Sequence, residues 1–177
     1  MKKILILTLT LIFSIMGLYA QKRSSYQDIK LQTPQDYAKA EKPALEASEY
    51  ILSTPIDKGD KAKEEATRFL LAWMDGTPDY VFPLNPPIDV ISKIEPGLLA
   101  VFMASMTKYV LDESKTASEE EINLHGFENL ADYCMQKKNH VEIRGEIKNL
   151  VEAKKDGNLQ DYLDQLNVLL DSDSMIK

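Results

Sequence analysis

Gly97-Leu98-Leu99-Ala100-Val101-Phe102-Met103-Ala104-Ser105-Met106-Thr107-Lys108-Tyr109-Val110-Leu111 decides the fold. The stretch reads as a helix whose apolar residues fall on every side, not on one stripe. A helix apolar all round is covered all round. It is too short to cross a bilayer, which takes about 20 apolar residues, and Lys108 interrupts it. The spacing therefore predicts a central core helix with other helices packed around it.

Working outward, the chain supplies those partners. Asp60 is placed to cap a helix with an apolar face of Ala62, Ala66, Phe69, Leu70, Trp73 and Met74, at the three-and-four spacing of an amphipathic helix. Lys61, Lys63, Glu64, Glu65 and Arg68 form its expected wet face, and Gly76 is expected to end it in a left-handed conformation. Upstream, Thr33-Pro34-Gln35-Asp36 is a helix start, with Thr33 as cap and Pro34 at the first helical position. Pro43 either kinks that helix or opens a new one carrying Ala44, Ala47 and Ile51, which Ser53-Thr54-Pro55 stops. The short connection to Asp60 makes these two helices an expected antiparallel hairpin.

Downstream, Ser118 with Glu121 is a capping-box pattern. It opens a helix bearing Ile122, Phe127, Leu130, Ala131 and Cys134. Gly126 weakens that helix by up to about 1 kcal/mol unless a neighbour packs closely on it. Asn139 marks a turn, and Ile143, Ile147, Leu150 and Val151 continue to Gly157. A last helix carries Leu159, Tyr162, Leu163, Leu166, Leu169 and Leu170, a stripe that the bundle or a partner must cover, and 171–174 are expected to fray. Between the second and third long helices, 77–97 holds five of the eight prolines and reads as an irregular segment with at most a short helix near 87–94. Its Tyr80, Val81, Phe82 and Leu84 are expected to pack on the bundle. The whole is an all-α compact bundle of about six to seven helices over 33–177, after a flexible lead-in at 21–32.

Residues 1–20 carry the three parts of an export signal: Lys2 and Lys3, the uncharged run Ile4–Met16, and a short segment ending in Ala20. Cleavage before Gln21 takes the formal charge from −7 to −9. The expectation is a periplasmic or secreted domain with no membrane span left after cleavage. Such acidity disfavours nucleic acid, whose phosphates need clustered Lys and Arg. A single cysteine, Cys134, excludes an internal disulfide and reads as a buried small hydrophobe.

Chemistry-bearing patterns are scarce. His125 and His140 are not at metal-ligand spacing, and Asp57-Lys58-Gly59-Asp60 lacks the alternating donors of a calcium loop. There is no nucleophile elbow and no phosphate loop, since the glycines are isolated. No catalytic residue, metal or cofactor is expected. Glu119-Glu120-Glu121 fits a helix first turn, where negative charge is stabilising. The best candidate surface is Trp73, Asp75, Asp79 and Tyr80, at a corner from helix to loop. Trp73 also fits the apolar stripe, and the two aspartates also fit a helix end and a turn. The leading functional expectation is a non-enzymatic domain that binds a protein or peptide, in an oligomeric state the sequence does not specify. The alternatives are a hydrolase of an extracellular polymer through Asp75 and Asp79, and a carrier of an apolar small molecule near Met103 and Met106.

Overall fold

A computed structural model describes residues 26–57 and 59–174. The expected export signal at 1–20 and residues 21–25 of the lead-in lie outside the described residues. Among the described residues there are eight α-helices and no strand. They are α1 (Pro34–Lys39), α2 (Glu41–Ser53), α3 (Lys61–Gly76), α4 (Pro86–Ile94), α5 (Gly97–Lys108), α6 (Glu119–Met135), α7 (Gly145–Lys155) and α8 (Leu159–Ser174). None of them is long and apolar enough to cross a membrane.

The count exceeds the six to seven expected because α1 and α2 are separate. The chain turns at Ala40, and Pro43 sits in the first turn of α2, where a missing N–H costs nothing. Three starts form where the sequence places them. Thr33 Oγ1 accepts from the Asp36 N–H, and Asp36 Oδ2 accepts from the Thr33 N–H at 3.0 Å. Ser118 and Glu121 close the same reciprocal box on α6. Asp60 Oδ1 accepts from the N–H groups of Ala62 and Lys63, both at 3.0 Å.

The core helix is α5. It packs between α2 and α6 and also meets α3 and α4. Val101 through Thr107 are all buried. Its C-terminal end differs from expectation: Tyr109–Glu113 widens into a π-helical turn in which Ser114 N–H donates to Tyr109 O at 3.0 Å. On α6, Gly126 admits the α5 helix. A Cβ there would lie 2.6 Å from Phe102 Cε2 and 2.9 Å from Met106 Cγ. The close neighbour that the sequence required of this glycine is therefore present. α4 seats Ile88 and Ile91 in the core and packs against α5, α7 and α8.

Four further expectations are corrected. Gly76 is not a left-handed stop. It remains helical within α3, and its lack of a side chain leaves room for the Tyr37 ring, whose hydroxyl would lie 2.0 Å from an added Cβ. The tail is helical through Ser174. Lys63, placed on the wet face, is buried. Part of the stretch read as lead-in is also packed: the Tyr26 ring stacks on Phe69 at 4.7 Å. The Asn139 turn forms, with the Asn139 amide donating to Tyr133 O and His140 in the left-handed region at φ 59°.

Candidate functional site

Trp73 organises the corner where α3 meets the irregular segment, and it does so from inside. It is fully buried, so it is not a surface residue. Its Nε1–H donates to Tyr37 O at 3.0 Å, which satisfies the one polar group the indole carries into the core. The rings of Tyr80 and Phe82 pack on it at 5.9 and 6.0 Å. The Tyr80 hydroxyl donates to Glu41 Oε1 at 3.1 Å, and Lys115 Nζ holds the other oxygen of Glu41 at 2.8 Å. Burial, followed by the hydrogen bond and charge of Glu41, raises the Tyr80 pKa. Segment 77–85 is thus tied down at alternate residues, Tyr80 and Phe82.

Anchoring those two turns others outward. Val81 is 60% exposed and Leu84 61%, and on α3 Leu71 is 51% exposed. With Met74, Phe82 and a floor at Met103 they line an open groove of about 280 Å³. Asp75 lines the same groove. Asp79 lines the neighbouring recess across Tyr80 and Val81, beside Lys115 and Glu119. Both aspartates are exposed, and neither has a hydrogen-bond or ion-pair partner among the described residues. Nothing orients them for acid–base work, which requires a held proton and a set geometry. The two methionines of the carrier reading part company: Met103 touches the groove, while Met106 is buried against Gly126.

Two further places bear on function. Val168 and Leu169 on α8 are 69% and 62% exposed and Leu166 and Leu170 are half-buried, while Leu159 and Leu163 at the near end of the stripe are buried. Lys63 lies on a recess of about 540 Å³ with Ile56, Asp57, Asp60, Glu64 and Arg68. Its Nζ donates to Thr54 O at 2.8 Å, Pro55 O at 3.1 Å and the Tyr133 hydroxyl at 3.2 Å. Tyr133 in turn donates to Thr54 O at 2.7 Å. All three ammonium protons are thereby used. Lys63 clasps the end of α2 and has no proton left for a ligand. The periodicity contained this signal: Lys63 precedes Ala66 by three and Leu70 by seven, on the buried stripe of α3.

Burial pulls the Lys63 pKa down to about 8, against the attraction of Asp60 and Asp57. A side-chain NMR titration should show its midpoint there, and a midpoint near the usual value of about 10.4 would refute the burial argument. The sign for stability follows. Above pH 8 the folded chain gives up this proton before the unfolded chain does, so the penalty for a buried charge is relieved and stability rises with pH. The rise is confined to about pH 8–9. Burial lifts the Cys134 thiol from 9.0 to about 12 and also raises Tyr133 and Tyr162, and their ionisation in the unfolded chain works the other way at higher pH.

The histidines stay apart in role. His125 stacks on Tyr109 and pairs with Glu128, and His140 pairs with Asp57. Among the described residues, no three metal-ligating side chains converge. Glu121 serves the α6 cap, while Glu119 and Glu120 are exposed. No protein-family model matches this chain, and comparisons with curated proteins and with solved structures find no match.

Proposed function

We propose that this chain is an exported, non-enzymatic binding domain that docks a protein or peptide in the groove between α3 and segment 77–85. One observation carries the reading. Leu71, Val81 and Leu84, three of the large apolar side chains left exposed, converge on a single groove. Contiguous exposed apolar surface is a mark of interaction sites, whereas scattered apolar residues are not. The groove rests on the buried aromatic trio of Trp73, Tyr80 and Phe82, so it is preformed and little ordering entropy opposes binding.

A photo-crosslinking residue at position 84 should capture a discrete partner in cells. The same residue at Lys148, an exposed position of α7, should not. Adducts no stronger at 84 than at 148 would refute the binding site. The export half of the proposal expects the protein recovered outside the cytoplasm to begin at Gln21, as read by N-terminal mass spectrometry. A chain that keeps its first 20 residues and stays in the cytoplasm would overturn it. Because Met103 floors the groove, a carrier of an apolar small molecule is the second reading. It expects an aliphatic probe to shift Trp73 fluorescence while position 84 yields no macromolecular adduct.

A further inference from the structure

The main chain beside the groove narrows the choice of occupant. From Thr77 to Asn85 the chain runs between α3 and α4 without a helical turn. Residues before proline are driven to extended conformations. Thr77 (ψ 129°) and Asn85 (ψ 153°) are extended, and Phe82 also precedes a proline. Within the described residues, no backbone N–H of Asp79, Tyr80, Val81, Phe82 or Leu84 donates to a protein acceptor, and no carbonyl from Asp79 to Leu84 accepts. Main-chain groups without a protein partner are met by water, and an occupant that covers them must replace it. A docked helix has its own main chain satisfied internally, and a hydrocarbon has no polar groups. Either would strip these donors and acceptors without replacing their bonds, which weakens binding with each group left unmet. An extended peptide supplies a matching row of donors and acceptors.

Charge gives the second constraint. Asp75 in the groove and Asp79 on its bounding chain are exposed and unpaired, while Lys115, the cation beside Asp79, is engaged by Glu41. We infer that the occupant is an extended, cationic peptide segment lying main chain to main chain along residues 79–84. It sets alternate apolar side chains against Leu71, Val81 and Leu84 and a lysine or arginine against Asp75 and Asp79. This inference rests on the groove being the binding surface proposed above.

The test uses the purified protein and four synthetic ten-residue peptides. Three share alternating valine and leucine and differ in the intervening residues: lysine, serine or glutamate. The fourth is the lysine peptide with alternate amides N-methylated. The lysine peptide should bind about tenfold more tightly than the serine peptide, the glutamate peptide should bind weakest, and N-methylation should cost at least about tenfold. Hydrogen exchange of the amides from Asp79 to Leu84 should slow in the complex. Asp75→Asn with Asp79→Asn, both at exposed positions, should bring the lysine and serine peptides level. Equal binding of those two to the wild type, or unprotected amides at 79–84, would overturn the inference. So would a dimer in sedimentation that Leu84→Asp dissolves and no peptide competes away, since the occupant would then be a second copy. Crosslinks at position 84 to another protein would still stand after either of the first two failures, so losing this inference is distinguishable from losing the binding site itself.

Discussion

Replacing Trp73 with alanine is expected to lower the unfolding free energy by about 3–5 kcal/mol, the range for deleting a large buried aromatic. That is a large share of the roughly 5–15 kcal/mol that holds a typical domain folded. Three losses combine. The indole is fully buried, its N–H is the donor to Tyr37 O, and Tyr80 and Phe82 lose the surface they rest on. The last loss reaches the groove, because Val81 and Leu84 are presented by the segment those rings anchor. Urea denaturation gives the number, and an unchanged slope with a lower midpoint would show that the compact states are otherwise alike. Trp73→Phe separates the parts: it keeps a ring but leaves Tyr37 O without its donor, for about 1 kcal/mol from the hydrogen bond plus the lost volume. A loss below about 1 kcal/mol for the alanine variant would contradict the placement of this side chain.

The second large effect is expected where α5 crosses α6. Gly126→Val should destabilise the protein by about 3 kcal/mol, at the upper end of the usual cost of overpacking. Phe102 and Met106, the side chains an added Cβ would strike, are fully buried, and Phe102 is braced by Phe127 at 4.5 Å. Alanine tests the balance more finely, since it gains up to about 1 kcal/mol of helix propensity over glycine while meeting the same two neighbours. A net loss for alanine would mean contact outweighs propensity. Phe102→Leu should partly rescue Gly126→Val, and a double-mutant cycle on thermal or urea unfolding would measure that coupling. Additive effects would show that the two residues do not share the space.

What the sequence made legible was mostly local or all-round. The cap at Thr33 and the box of Ser118 with Glu121 form because each needs only four consecutive residues; that Asp36 reciprocates the Thr33 cap is shown by the structure. The central position of α5 was readable because its apolar residues leave no side to face water. Gly126 was readable as a conditional statement, glycine only if something lies close, and Phe102 met the condition. The misreadings are of another kind. Gly76 looked like a stop signal, but Tyr37, some forty residues away, gives it its place. Lys63 looked like a solvated charge because its type outweighed its register; the carbonyls of Thr54 and Pro55 that receive it are supplied by the hairpin turn.

The candidate site was half legible. The proposed groove lies on the segment singled out from the sequence, yet Trp73 supports it from beneath, and the open surface belongs to Leu71, Val81 and Leu84. Periodicity ranks residues by apolarity and cannot say which apolar residue remains uncovered once its neighbours are anchored. The α8 stripe illustrates this: Leu159 and Leu163 are taken up by the bundle, while Leu169 is not.

Cys134 closes the account from the side of handling and survival. A sole thiol sealed inside α6, with its pKa pushed up to about 12 by burial, offers almost no thiolate to oxidants, alkylating agents or stray cysteines. Whatever the redox poise around it, the folded protein is thus insulated from covalent dimers and mixed disulfides. Only molecules that have opened expose this thiol, so its oxidation would track unfolding and not exposure to air.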